Sequence, residues 1–303
     1  MKVALMGQAA FGAAVLERLL KDGVEVAGVS APEGGARPDA LWQAAADAGI
    51  PAVDTVTLKS PDGLEAWRAL GADLGVMAFV TEILPTAVFE VPQQGTIQYH
   101  PSLLPLHRGS SALNWAIING RTETGLTVFW PDSGIDTGPM LLQKTCAIGP
   151  DDTVGSLYFN TLFPMGVEAL SEAVAMVAAG KAPRVEQDHS LSTYEPPCAD
   201  RHAEIRWWEP AERIYALIRG CNPQPGAWST FEGQRMRFYD CRLTGKQEPG
   251  MPGRVLRVED DGMYVRLNGG VLQVQRVAPD GGKKAPAAEW AFKADIKPGA
   301  RFR

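Results

Sequence analysis

The sequence has four histidines, and His100 stands directly after the apolar run "GTIQY" (95–99), where a buried strand would end. An isolated carboxylate, Asp136, lies in "DSGIDTG" (132–138), just beyond the next apolar run, "GLTVFW" (125–130). An imidazole at the end of a rigid strand can hydrogen-bond a reacting carbonyl oxygen or carry a proton near neutral pH. A carboxylate beside it favours the imidazolium and can accept a proton from an incoming nucleophile. In one desolvated crevice the two suit attack on an amide-like carbonyl, where the barrier lies in charge developing on oxygen and in deprotonating the nucleophile. Alone, a strand-end histidine is more often a structural, hydrogen-bonded residue, so the pairing depends on the elements that hold it.

Those elements alternate. "KVALMG" (2–7), "VEVAGVSA" (24–31), "DLGVMAF" (73–79), "GTIQYH" (95–100) and "GLTVFW" (125–130) read as strands, with "FGAAVLERLLKDG" (11–23) and "PDALWQAAADAG" (38–49) as helices between them. Strands apolar on both faces and separated by helices imply an α/β fold, a Rossmann-like, mostly parallel sheet covered on both sides. Such sheets bind ligands beyond the carboxyl ends of their strands, where strand order reverses, and both His100 and Asp136 are expected there, at the ends of neighbouring strands. The run 153–181 reads as a helix kinked at Pro164 that closes a first domain over 1–181. Residues 182–204 are proline-rich and aperiodic and read as a linker. From 205 to 303 one helix, "PAERIYALIRG", precedes short strands and glycine turns, the pattern of a smaller OB-like β-barrel.

Composition narrows the function classes. A chain of 303 residues with 45% hydrophobic and 21% charged residues is an ordinary globular protein of two domains. Its net charge of −6, without a long basic run, disfavours large nucleic-acid partners, DNA included. No secretory signal or unbroken apolar span is seen, so a cytoplasmic protein without a membrane partner is expected. Cys146, Cys198, Cys221 and Cys241 are scattered without metal-ligand spacing and are expected as free thiols, with no metal site. The loop "GQAAFG" lacks the central glycine of a dinucleotide fingerprint, and no acidic residue closes the second strand, which argues against NAD.

The segments "GTIQYHPSLLPLHRGSSALNWAIING" and "GLTVFWPDSGIDTGPMLLQKTCAI" resemble the formyltransferase family that uses 10-formyltetrahydrofolate. The likeness covers nearly the whole chain, including "MKVALMGQAAFG", "DDTVGSLY" and "IRWWEPAERIYALIRGCNPQPGAW". Within the family, "YHPSLLPLHRG" and "FWPDSGIDTG" are most similar to the hydrolase domain of 10-formyltetrahydrofolate dehydrogenase, and "GGKKAPAAEW" resembles the end of methionyl-tRNA formyltransferases. The resemblance implies that His100 stabilises a tetrahedral intermediate and that Asp136 orients it or acts as general base. Transferases of the family carry Asn two positions before the histidine, and here Gln98 stands there, a carboxamide longer by one methylene that can still donate to the formyl oxygen. The resemblance also places the pterin of the folate at "MAFVTEILP" (77–85). Phe79, Ile83 and Leu84 would face its rings, and the backbone from Ala78 through Val80 to Glu82 its polar edge, with Ser133 and Ile135 completing the pocket. His107, Ser102 and Asp132 are read as structural or turn-forming, and His189 and His202 as solvated linker residues.

The acceptor is the open question. A positive loop after the second strand marks the members that use tRNA, and the corresponding "SAPEGGARPDALWQ" has one arginine balanced by Glu33 and Asp39, so tRNA is disfavoured. Transfer to a small-molecule amine is preferred, ahead of hydrolysis by water to formate and tetrahydrofolate. A non-catalytic folate-binding module is the reading from another class, and the presence of both His100 and Asp136 speaks against it.

Overall fold

The computed structural model describes residues 1–34, 37–245 and 248–303. Two compact units form. The first comprises Met1–Ser110, Gly125–Cys146 and Phe159–Glu195, and the second Ser111–Thr124, Ala147–Tyr158 and Pro196–Arg303.

The first strand, β1 (Lys2–Gly7), is buried from Val3 onward. It is followed by α1 (Ala9–Lys21), β2 (Glu25–Ala31), α2 (Ala40–Asp47), β3 (Ala52–Asp54), α3 (Pro61–Ala69), β4 (Leu74–Ala78), α4 (Thr86–Phe89) and β5 (Thr96–His100). Next come α5 (Ala112–Ile118), β6 (Glu123–Phe129) and β7 (Met140–Ala147). The sheet order is β3-β2-β1-β4-β5-β6-β7. The chain steps outward from β1 to β3, then crosses to β4 on the other side, so the switch point lies between the carboxyl ends of β1 and β4. The two strands meet closely there. A Cβ on Gly7 would come within 2.5 Å of the Ala78 carbonyl oxygen, so only glycine fits.

The strands β1 to β5 pair in parallel, whereas β5 and β6 pair antiparallel, with Gln98 opposite Phe129 and His100 opposite Thr127. The sheet is therefore mostly parallel with an antiparallel edge, a common arrangement in large α/β sheets. The edge strand β7 alternates partly buried and exposed residues, unlike the fully buried centre.

After β7 come α6 (Val154–Leu157) and α7 (Phe163–Ala178), joined by a π-helical turn at Tyr158–Leu162. Pro164 follows directly on the π turn, in the first turn of α7, so the irregularity expected at this proline takes the form of a π turn just before it. The stretch Val154–Ala178 is long and apolar enough by composition to cross a membrane, yet α7 buries Gly166, Ala169, Leu170, Ala173, Val174 and Val177 in the first unit. Gly166 admits the aromatic rings: a Cβ there would lie 2.7 Å from Tyr99 and 3.0 Å from Phe11, whose ring centroids are 4.7 Å apart.

The second unit holds α8 (Ala211–Gly220), β8 (Ala227–Phe231), β9 (Gln234–Thr244), β10 (Val255–Glu259), β11 (Gly262–Leu267), β12 (Gly270–Pro279), β13 (Ala285–Pro286) and α9 (Ala287–Lys293). Its antiparallel order is β10-β11-β12-β9-β8, with β13 on β12. The chain terminus joins the two edges. Thr230 and Arg303 exchange backbone hydrogen bonds of 3.0 and 2.9 Å, while Val255 N–H donates to the Ala300 carbonyl at 2.8 Å. Phe302, fully buried, packs within 5.1 Å of the Phe238 ring centroid and 6.0 Å of the Trp207 one.

The stretch read as a linker, 182–204, does not stand apart: residues to Glu195 belong to the first unit and those from Pro196 to the second. Polar side-chain hydrogen bonds hold its first part, which is why no hydrophobic period announced it. No disulfide joins Cys146, Cys198, Cys221 or Cys241.

Candidate active site

In β5 the side chains alternate, so Thr96, Gln98 and His100 share one face while Tyr99 points to the other, onto Phe11. His100 is 5% exposed at the strand's end. Its Nε2 lies 2.9 Å from the His107 carbonyl oxygen, which can only accept, so Nε2 carries a proton. Its Nδ1 faces Asp136 Oδ2 at 3.5 Å, somewhat beyond the roughly 3.2 Å limit of a good hydrogen bond. Gln98 is half-buried on the same face, and among the described residues no hydrogen bond holds its carboxamide.

The carboxylate arrives by a different route from the one its sequence position implies. Because β6 runs antiparallel to β5, its carboxyl end lies opposite Gln98 and leads away from His100. Asp136 is not at a strand end: it lies in the loop 131–139 between β6 and β7, closed by a hydrogen bond from Trp130 N–H to the Pro139 carbonyl at 2.8 Å. This loop folds back so that Asp136 reaches His100. Asp132 forms the turn, accepting from Gly134 N–H at 2.9 Å and Thr137 Oγ1 at 2.6 Å. Asp136 itself has φ +54°, in the left-handed region that aspartate tolerates better than most residues. It is 9% exposed, and its Oδ2 accepts from Gly109 N–H at 2.8 Å.

The histidine is held by the "SLLPLHRG" loop. Ser102 is fully buried and donates to the Leu106 carbonyl at 2.7 Å, and Thr127 Oγ1 on β6 donates to the Ser102 carbonyl at 2.7 Å. His107, also at positive φ, places its Nδ1 3.0 Å from Glu195 Oε1. Its N–H donates to Thr193 Oγ1 at 2.8 Å, and Arg108 N–H to the Thr193 carbonyl at 3.0 Å. Thus the segment 187–195 straps the loop that sets the His100 ring. Sequence reading missed this strap entirely; His189, read as solvated, is exposed, and its Nδ1 also lies 2.9 Å from Arg108 Nη2. His202, read the same way, accepts from Ala199 N–H at 3.1 Å and stacks edge-on to Trp115. Burial and the adjacent Arg201 hold its pKa below the usual histidine value.

Around the dyad, Met77 pairs with Gln98, and Phe79 follows just beyond the end of β4. Phe79 has φ +62° and is 45% exposed, and Ile83 is 81% exposed, both free to meet a ligand's flat face. Ala78 is buried at the end of β4, and Val80 is partly buried against the cluster beneath. Leu84 differs from the expectation: it is buried with Leu58, Trp67 and Val88, so its apolar surface is spent on the core. The Glu82 carboxylate pairs with Lys59 Nζ at 2.5 Å. Ser133 and Ile135 are exposed on the same loop as Asp136. The amino end of α1, a ready-made anion site, is filled by the chain itself: Asp39 accepts from Ala9 N–H at 2.8 Å and caps α2 through Leu41 N–H, also at 2.8 Å. A dinucleotide pyrophosphate would have to displace that carboxylate. Gly35 and Ala36, in the segment compared with the tRNA-binding loop, lie outside the described residues. Among the described residues no three His, Cys, Asp or Glu side chains are placed to hold a metal ion.

Residues 1–174 match the family model described as formyl transferase, and residues 199–294 that of the formyl transferase C-terminal domain. The mitochondrial 10-formyltetrahydrofolate dehydrogenase of Mus musculus is 40% identical over 96% of this chain, which spans 33% of that relative's length. The methionyl-tRNA formyltransferase of Geobacter sulfurreducens is 33% identical over 100% of this chain and 96% of its own. Among solved structures, HypX from Aquifex aeolicus in complex with tetrahydrofolic acid has a TM-score of 0.74 at 19% identity, covering 97% of this chain and 47% of that one. An N-formyltransferase from Helicobacter canadensis, in complex with folinic acid and dTDP-3-aminofucose, has a TM-score of 0.69 at 16% identity, covering 90% and 98%.

Proposed function

This chain belongs to the formyl transferase family, and we propose that within it the chain moves the formyl group of 10-formyltetrahydrofolate onto a small-molecule amine. The observation that carries this reading is the approach of His100 Nδ1 to Asp136 Oδ2 at 3.5 Å, with Gln98 on the same strand face. Nε2 is committed to a backbone carbonyl, so Nδ1 is the nitrogen that works. When the amine nitrogen adds to the formyl carbon, the carbonyl π pair moves to oxygen, and the imidazolium Nδ1–H and the Gln98 amide donate to that oxygen. Asp136 accepts the proton lost by the attacking nitrogen. Collapse restores the carbonyl, the bond to folate N10 breaks, and N10 leaves with the proton returned by the dyad. Folate recognition is assigned to Phe79 and Ile83 against the pterin, with the backbone from Ala78 to Glu82 at its edge and Ser133 and Ile135 on the facing loop. Leu84 is left as support from beneath.

Charge pairing in the second unit supports a small acceptor over tRNA. Arg237 is bound by Asp200 at 2.8 Å and Asp280 at 3.0 Å, and Arg235 by Asp200 at 3.0 Å. Lys284, in the "GGKKAPAAEW" segment, lies 3.7 Å from the centre of the Tyr239 ring, and burial lowers its pKa. Cations already neutralised release few counterions on binding a phosphate chain. We place the chain in a reducing, cytoplasmic setting, which cysteines outside disulfides would suit.

Hydrolysis is the second reading, favoured by the 40% identity to a dehydrogenase acting on the same folate. One assay separates the two. Incubation with 10-formyltetrahydrofolate alone, then with a panel of primary amines including an amino-sugar nucleotide, is followed by tetrahydrofolate release. The account expects an amine to raise turnover at least about tenfold over water, and equal rates with and without every amine would favour the hydrolase instead.

A further inference from the structure

Gln187 is 4% exposed and lies in the strap that sequence read as a linker. Both ends of its carboxamide are used. Its Nε2 donates to the Asp136 carbonyl at 2.9 Å and the Gly138 carbonyl at 2.7 Å, while its Oε1 accepts from Arg108 Nη2 at 2.7 Å. Arg108 is 8% exposed, and Nη2 also donates to His189 Nδ1 at 2.9 Å. The next residue, Gly109, gives its N–H to Asp136 Oδ2 at 2.8 Å. Two chains of hydrogen bonds therefore run from 108–109 to Asp136, one reaching the carboxylate and the other passing through Gln187 to the backbone. These bonds hold the Asp136 backbone at φ +54°, a conformation that Asp adopts less readily than the right-handed one.

We propose that Gln187 is a positioning residue for the reaction: it fixes the Asp136 backbone and so aims the carboxylate at His100 Nδ1. The position requires two donors on one side and an acceptor on the other, which only a carboxamide of this reach supplies. The Arg108 guanidinium polarises that carboxamide and strengthens its two N–H bonds to the Asp136 loop. Glutamate would keep the acceptor toward Arg108 but turn a carboxylate on two backbone carbonyls. Methionine would keep the shape and none of the bonds.

The kinetic test rests on the formyl-transfer reading, and a second arm stands without it. With whichever acceptor supports turnover, Gln187→Met and Gln187→Glu are both expected to lower kcat about 10- to 100-fold while KM for 10-formyltetrahydrofolate moves less than about threefold. Gln187→Asn, which keeps the chemistry with a shorter reach, is expected to fall between them and the wild type. In the second arm, amide exchange at Gly109 in the ligand-free protein is expected to quicken at least about tenfold in Gln187→Met, with β1 and β4 amides unchanged. Unchanged Gly109 exchange, or a kcat within about twofold of wild type in both Met and Glu variants, would overturn the proposal. If the wild type turns over no formyl donor, the formyl-transfer reading fails and the exchange arm alone decides this one.

Discussion

Asp136→Asn is expected to lower kcat for formyl transfer about 10³-fold, near the middle of the range for general acid–base groups. The substitution isolates the charge. Asparagine tolerates the left-handed backbone that Asp136 adopts at φ +54°, and its remaining oxygen can still accept from Gly109 N–H. Loop and burial are thus kept, while the group that takes the nucleophile's proton is lost. The carboxylate that faces His100 Nδ1 goes with it. Alanine would add backbone strain and an unpaired Gly109 amide, so its effect would mix stability with chemistry. The measurement is steady-state turnover beside folate affinity by titration with tetrahydrofolate. Folate affinity should change little, because the carboxylate acts on the reacting carbon and not on the pterin. Asp136→Asn at more than about a third of wild-type kcat would remove the carboxylate from the chemistry.

His100→Gln is expected to lower kcat at least about 10²-fold, from loss of the donor to the developing oxyanion together with loss of the proton carrier. Glutamine can still donate to the His107 carbonyl, which His100 Nε2 reaches at 2.9 Å, so the loop above need not collapse. The double variant of His100→Gln with Asp136→Asn should be scarcely worse than the poorer single one, because the two groups act as a unit. Multiplying losses would mean two independent roles. A thermal midpoint for each variant within about 4 °C of wild type would show that the losses are chemical.

The centre of the first unit was legible because β1 and β4 are apolar on both faces and β5 is buried along most of its length, which a covered parallel sheet explains. His100 could be placed at its strand's end for the same reason. Asp136 could be associated with the site but not routed to it, since nothing in "GLTVFW" distinguishes a parallel from an antiparallel strand, and the direction of β6 decides where its loop emerges. The edge strands β3 and β7 escaped notice, one being three residues long and the other only half-buried along its length. The strap that includes Gln187, Thr193 and Glu195 was illegible for a deeper reason: it is held by individual polar hydrogen bonds, which leave no period in the sequence. Leu84 shows the converse error. An apolar residue in a recognised loop served the core, because the burial of a single leucine depends on what lies beneath the loop.

The central claim is that one imidazole and one carboxylate meet the formyl group of a bound folate. A crystal structure of the protein with 5-formyltetrahydrofolate, an unreactive relative of the donor, tests it most directly. The account expects the pterin against Phe79 and Ile83 and the formyl oxygen within about 3.2 Å of His100 Nδ1 or the Gln98 amide. A folate bound elsewhere, or one whose formyl group points away from the pair formed by His100 and Asp136, would contradict it.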